Sequence, residues 1–367
     1  MKYKGPQIDL SVIAIVSIVG TFLFAYVSYV LGLDQFPDSI ISIWNTWDTQ
    51  HYLKIAQYGY SSSTVDERHL LIAFFPLFPL LIKIFSFVFQ DYLLSALVVS
   101  NIAYIFAVFY LYKLVLLDFD KEDALRSIIY FSIFPTAYFL HAAYTESLFL
   151  ALTIASFYYA RKERWVLSGV IGMLAAMTRV TGIILLPVLL IEYLHQREFK
   201  KENIGKDILW IFVIGFGFLI YLILNYMTYG DPLKFLEIQS SHWHMNLSLP
   251  TKGLFTAWIG TNWGNPDYMV NNGWFQLVFG ILGFIISIYS FFRLRLSYSL
   301  YALATWLVVT STSYWLSLPR FMLTIFPIFI VFAILGRRKE INYTIIFMSL
   351  LFYALFLSQF VRFRWAF

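Results

Sequence analysis

A single carboxylate interrupts an aromatic stretch near the start of this chain. In WNTWDTQHYLKIAQYGY (44–60), Asp48 follows two tryptophans and precedes His51 by three residues. A helix from about Asp48 to Gln57, stopped near Gly59, would advance by about 100° per residue. Gln50, Lys54 and Gln57 then share one side, while Trp44, His51, Tyr52 and Ile55 gather on the other with Asp48 among them. A carboxylate on an apolar face is disfavoured in its ionised form, which raises its pKa and suits a general base or acid near neutral pH. The plainer reading is an N-cap, with Asp48 starting the helix after Trp47.

Three more charges stand in apolar surroundings. Glu146 lies in HAAYTES (141–147) with no partner at helical spacing. It is either a second acid on the same cavity or a carboxylate reaching water at a helix N-terminus. Arg179 breaks LSGVIGMLAAMTRVTGIILLPVLL into two short halves. Its planar fork suits the phosphate of a lipid headgroup, and snorkelling to the interface is the alternative. Arg320, in SYWLSLPRFMLTIFP, opens a helix, where the dipole favours anions, so a phosphate partner explains it better. His242-Trp243-His244 is a weak metal signal, and aromatics there also fit an interfacial belt. Asp118-Phe119-Asp120 falls on the opposite side from Asp48.

The elements that must hold these residues are membrane helices. The chain is 60% hydrophobic and 13% charged, against about a quarter charged in soluble domains. Long apolar runs recur along it, and backbone satisfaction in lipid makes them helical rather than barrel strands. With no cysteine, neither a disulfide nor a thiolate nucleophile is available. The net charge of +5 reads as loop bias, not a nucleic-acid surface. About eleven spans are expected, at 10–32, 92–117, 124–141, 147–161, 165–178, 181–195, 208–228, 273–292, 298–314, 320–335 and 341–359. The first reads as a retained helix rather than a signal peptide. RKER (161–164), REFKKENIGK (197–206), RLR (293–295) and GRRK (336–339) mark the cytoplasmic side, with the N-terminus inside. Segment 74–90 carries Pro76, Pro79 and Lys83 and is read as a helix along or dipping into the outer face. The C-terminal VRFRW then falls outside, against the charge rule. Two external loops, about 33–91 and 229–272, belong to one membrane domain, 1–367.

WDTQHYLKIAQYGY (47–60), FFPLFPLL (74–81), FPTAYFLHAAYTESLF (134–149), TRVTG (178–182), GDPLKFLEIQSSHW (230–243) and LPRFMLTIFP (318–327) together resemble the PIG-V family of mannosyltransferases within the GT-C superfamily. The resemblance implies an all-α GT-C-type bundle with juxtamembrane helices in the first external loop. It implies inverting transfer of a sugar, mannose in that family, from a polyprenyl- or dolichyl-phosphate donor to a hydroxyl on the extracytoplasmic face. Asp48 matches the catalytic carboxylate and Glu146 the second-loop acid; in such a mechanism His51 or Glu146 would orient Asp48 or the acceptor. Arg179 and Arg320 match donor-phosphate contacts, and Trp47, Tyr52, His242 and Trp243 are expected at the substrates. The partners implied are the lipid-phosphate sugar, a glycolipid, glycan or protein acceptor, and membrane lipids. No cofactor or metal is expected, because arginines take the metal's electrostatic part. The competing class is a transporter or flippase of a lipid-linked sugar, which also carries intramembrane charges and broken helices. Polar residues gathered toward one face, with no inverted repeat, argue against it. A non-catalytic subunit of a glycosylation complex is a third reading.

Overall fold

A computed structural model of the chain describes residues 9–60 and 65–367. The basic stretch before residue 9, expected on the cytoplasmic side, and residues 61–64 of the first loop lie outside the described residues. The rest is helical. Among the described residues the only β pairing is an isolated bridge between Leu247 and Thr312.

Five helical stretches are long and apolar enough to cross a membrane by length and composition: Leu10–Leu33, Tyr92–Val115, Lys206–Tyr229, Pro266–Ser290 and Lys339–Phe360. The first two are helices α1 (Leu10–Leu33) and α4 (Tyr92–Val115). Between them stand α2 (Asp48–Tyr58), a 3-10 segment over Val65–Ala73, and α3 (Leu77–Phe89). The 13 residues of α3 extend about 20 Å, short of a hydrocarbon core of about 30 Å. Asp91 caps α4, its side chain accepting from the Leu94 N–H at 2.7 Å.

Helices α5 (Lys121–Ile133), α6 (Glu146–Arg161), α7 (Trp165–Ala176) and α8 (Leu185–Gln196) follow, then the long α9 (Leu209–Tyr229). Glycines let α7 and α9 meet backbone to backbone. A Cβ on Gly169 would lie 1.9 Å from the Trp210 carbonyl oxygen, and one on Gly217 would lie 2.1 Å from that of Met173. Beyond α9 come α10 (Lys234–Trp243), α11 (Pro250–Gly260), and α12 (Pro266–Tyr268), which runs through a π-turn at Met269–Trp274 into α13 (Phe275–Ser290). The last elements are α14 (Leu296–Thr310), α15 (Leu318–Leu323), α16 (Pro327–Leu335) and α17 (Lys339–Phe360). The run expected as one span at 320–335 is therefore two helices. Pro327, with no N–H to donate, starts the second.

One buried apolar cluster runs from α1 to the last residue, and its large members are aromatic: Trp44, Tyr104, Tyr138, Tyr144 and Phe78 among them. At the end of the bundle where α2, α6 and α15 begin, the two predicted external loops meet. Ile238 of α10 packs on Leu70 and Ile72, and Tyr221 donates to the Ile72 carbonyl at 2.6 Å.

Candidate active site

Asp48 is the first residue of α2, and its neighbour fixes it there. Trp44 is fully buried against Phe22 and Phe360. The chain then turns at Trp47, which has φ +50° and ψ −125°, a conformation that a bulky residue keeps only when its surroundings impose it. The capping alternative is thereby settled: the N-cap position is Trp47, and no side chain caps α2. The helix ends at Tyr58, with Gly59 at φ +73°, close to the expected bounds.

The Asp48 carboxylate instead faces Arg320, whose Nη1 donates to Oδ2 at 2.8 Å. Arg320 also donates from Nε to Glu146 Oε1 at 2.6 Å. The same oxygen accepts from Arg179 Nη1 at 2.7 Å, and this nitrogen also lies 2.9 Å from Thr145 Oγ1. Four residues separated by up to 272 positions thus form one alternating chain, Asp48–Arg320–Glu146–Arg179. Glu146 has no exposed side-chain surface, Arg320 and Arg179 keep 10% and 12%, and Asp48 keeps 29%. The desolvation expected at Asp48 therefore falls on Glu146. Glu146 is a buried bridge between two guanidinium groups, not a carboxylate reaching water. Its second oxygen, Oε2, is buried with no hydrogen-bond partner.

Aromatic rings seat the arginines. Arg320 lies over Tyr144 at 4.5 Å and Phe139 at 4.9 Å, and Arg179 lies over Phe321 at 5.4 Å. Cation–π attraction strengthens when water is excluded. The backbone around Arg320 is braced. Gln276 accepts from the Leu318 N–H at 2.9 Å, and Thr136 donates to the Pro319 carbonyl at 2.9 Å. The preceding turn is tied to the second loop through Ser248 and Asn246. Arg179 sits in extended backbone (φ −154°, ψ 149°) between α7 and a 3-10 turn. The Leu77 N–H, at the start of α3, donates to the Met177 carbonyl beside it.

Tyr52, one turn along α2, packs edge-on against Phe74, Phe78 and Tyr144. Burial first, and then the charge of Asp48, pushes its hydroxyl above the ordinary tyrosine range. The His51 ring stacks on Phe74 at 4.9 Å. Trp243 meets the other side of that cluster, 6.2 Å from Phe74. His242 is exposed at the end of α10 and meets Trp243 edge-on, outside the charged chain. Trp47 is 42% exposed and meets Trp365 edge-on at 5.6 Å. Sequence reasoning did not find Trp365, Tyr138, Tyr144 or Phe139. Tyr144 and Thr145 stand in the same HAAYTES segment as Glu146, and that adjacency was the available signal. Among the described residues no group of three or more His, Cys, Asp and Glu side chains is placed to hold a metal ion.

The middle of the chain, including Glu146 and Arg179, carries the similarity to known proteins. Residues 75–226 match the dolichyl-phosphate-mannose-protein mannosyltransferase family. GPI alpha-1,6-mannosyltransferase 2 of Mus musculus is 30% identical over 168 residues, covering 43% of this chain and 33% of the mouse protein. The Rattus norvegicus protein is 27% identical over 164 residues, covering 42% and 32%. The matched segments thus span about a third of each curated relative. The likeness to PIG-V and to GT-C mannosyltransferases read from the motifs is shown by these matches. Among solved structures, the apo oligosaccharyltransferase of Archaeoglobus fulgidus aligns with TM-score 0.45 at 12% identity, over 96% of this chain and 56% of that one. The same organism's AglB, in complex with an inhibitory peptide and a dolichol-phosphate, aligns with TM-score 0.44 at 12% identity, over 95% and 55%.

Proposed function

We propose that this chain is one GT-C-type membrane domain that transfers a sugar from a polyprenyl- or dolichyl-phosphate donor to a hydroxyl acceptor on the extracytoplasmic face. Mannose is the sugar of the relatives. In this reading the shorter helices complete a bundle of about eleven crossings around the five long ones, with the N-terminus cytoplasmic. The observation that carries the proposal is the chain of four charges. It runs from a partly exposed carboxylate, through two mostly buried guanidinium groups, about a buried glutamate.

Each part has a task in a single displacement with inversion. Arg320 holds Asp48 Oδ2, and Oδ1 carries no hydrogen bond among the described residues. Oδ1 accepts the proton of the acceptor hydroxyl as its oxygen attacks the anomeric carbon. The new C–O bond forms while the bond from that carbon to the phosphate oxygen breaks, and the electron pair leaves with the phosphate. The remaining N–H groups of Arg179 and Arg320 hold that charge as it grows. Donors fixed in place before the reaction stabilise developing charge without reorganising. The four side chains sum to zero formal charge, and the proton passed to Asp48 offsets the charge gained by the phosphate. The net charge of the site is therefore constant through the step. Glu146 keeps the two guanidinium groups in register, and Asp48 is the base. The reaction draws its positive charge from arginine, so it needs no metal.

The test is purified protein in detergent with polyprenyl-phosphate [³H]mannose, with and without EDTA. Release of labelled mannose to a water-soluble or glycolipid product, insensitive to EDTA, is expected. Movement of intact labelled lipid across vesicles with no cleavage would make the protein a flippase and end the proposal.

A further inference from the structure

Residues 360–367 pack back onto the bundle beside Trp47. Phe360 and Val361 are buried, Tyr138 donates to the Ala366 carbonyl at 2.5 Å, and Phe367 packs on Phe275 and Phe356. This anchoring holds Trp365 edge-on to Trp47, whose neighbour in the chain is Asp48. Two features of the pair are unusual. Trp47 adopts positive φ while leaving 42% of its surface exposed, so the turn presents the indole instead of burying it. Trp365 Nε1 is a buried donor with no hydrogen-bond partner, a state that favours a ligand or water oxygen.

We infer that Trp47 and Trp365 form a subsite for a pyranose ring of the acceptor, stacked on the exposed Trp47 indole and taking a hydrogen bond from Nε1 of Trp365, which stands edge-on beside it. Sugar rings present apolar C–H faces and a rim of hydroxyls. An aromatic surface with an unmet N–H beside it complements both. The acceptor is assigned here, not the donor, because the arginines lie on the buried side of Asp48 and Trp47 on its exposed side. A base at Asp48 must meet the acceptor hydroxyl. This assignment rests on the transferase reading, but the subsite itself can be tested without turnover.

The experiment is saturation-transfer NMR with methyl α-D-mannopyranoside on the full chain in detergent, comparing wild type, W365A and W365F. Wild type is expected to transfer saturation to the sugar, W365F to keep most of it, and W365A to fall to the level of protein-free micelles. Where W365A does not fold, W365L keeps the apolar volume and serves in its place. Equal signals in wild type and W365A, or none in wild type, would overturn the inference; equal signals are also what an interfacial anchor at Trp365 gives. In turnover, W365A should raise the acceptor KM roughly tenfold with a smaller change in kcat, the size expected for one lost aromatic contact. Sugar binding that depends on Trp365, without any cleavage of the lipid donor by wild type, would retire the transferase reading and leave the subsite standing.

Discussion

Glutamine at position 146 separates the bridging role of that carboxylate from its shape. Glu146 Oε1 accepts from Arg320 at 2.6 Å and from Arg179 at 2.7 Å, with no exposed side-chain surface. Glu146→Gln keeps an oxygen for one or both donors but removes the charge they share. At an effective dielectric of about 20, one pair of unit charges about 4 Å apart interacts by about 4 kcal/mol. Removing one member of a buried pair costs about 3–5 kcal/mol in general. The amide's retained hydrogen bonds and the second pairing of Arg320 with Asp48 place this change at the lower end, about 3 kcal/mol. The two guanidinium groups also lose their common anchor, so transfer should fall about 100-fold, as for other lost contacts to developing charge. Stability is read by denaturation in mixed micelles, and transfer by single-turnover release of mannose from the lipid donor. Wild-type stability together with a wild-type rate would refute the bridge.

Arg320→Lys keeps the charge but not the fork, and one ammonium cannot reproduce the separate Nε and Nη1 contacts to Glu146 and Asp48. Initial-rate kinetics should show a loss in kcat of about 100-fold, a size typical for one lost charge-stabilising donor. Glu192, almost wholly buried, accepts from Arg295 and Ser297 and lies outside the Asp48–Arg320–Glu146–Arg179 chain. Glu192→Gln should lower stability in the same denaturation assay by about 1–3 kcal/mol while leaving kcat of the folded fraction unchanged.

Local signals were legible in the sequence. The helix from Asp48, its stop at Gly59, and the four charges in apolar surroundings follow from spacing and from the rarity of such residues in lipid. How the charges pair did not follow. Arg179 and Arg320 read as phosphate ligands, yet each already holds a carboxylate, because helix ends far apart in sequence converge at one end of the bundle. The buried character expected for Asp48 belongs to Glu146, since periodicity ranks faces of one helix but does not say which neighbour covers them. His242 and Trp243 are adjacent in sequence, but only Trp243 reaches the Phe74 cluster. The tail that brings Trp365 to Trp47 carried no local signal beyond a VRFRW whose expected external placement broke the charge rule.

The most direct measurement is the single-turnover rate of Asp48→Asn with a polyprenyl-phosphate mannose donor, after its fold is verified by thermal denaturation. Asparagine can still accept from Arg320 but takes no proton, so the rate should fall by about 10²–10⁴-fold, with Asp48→Glu recovering part of it. A folded Asp48→Asn protein that transfers sugar at the wild-type rate would contradict the account.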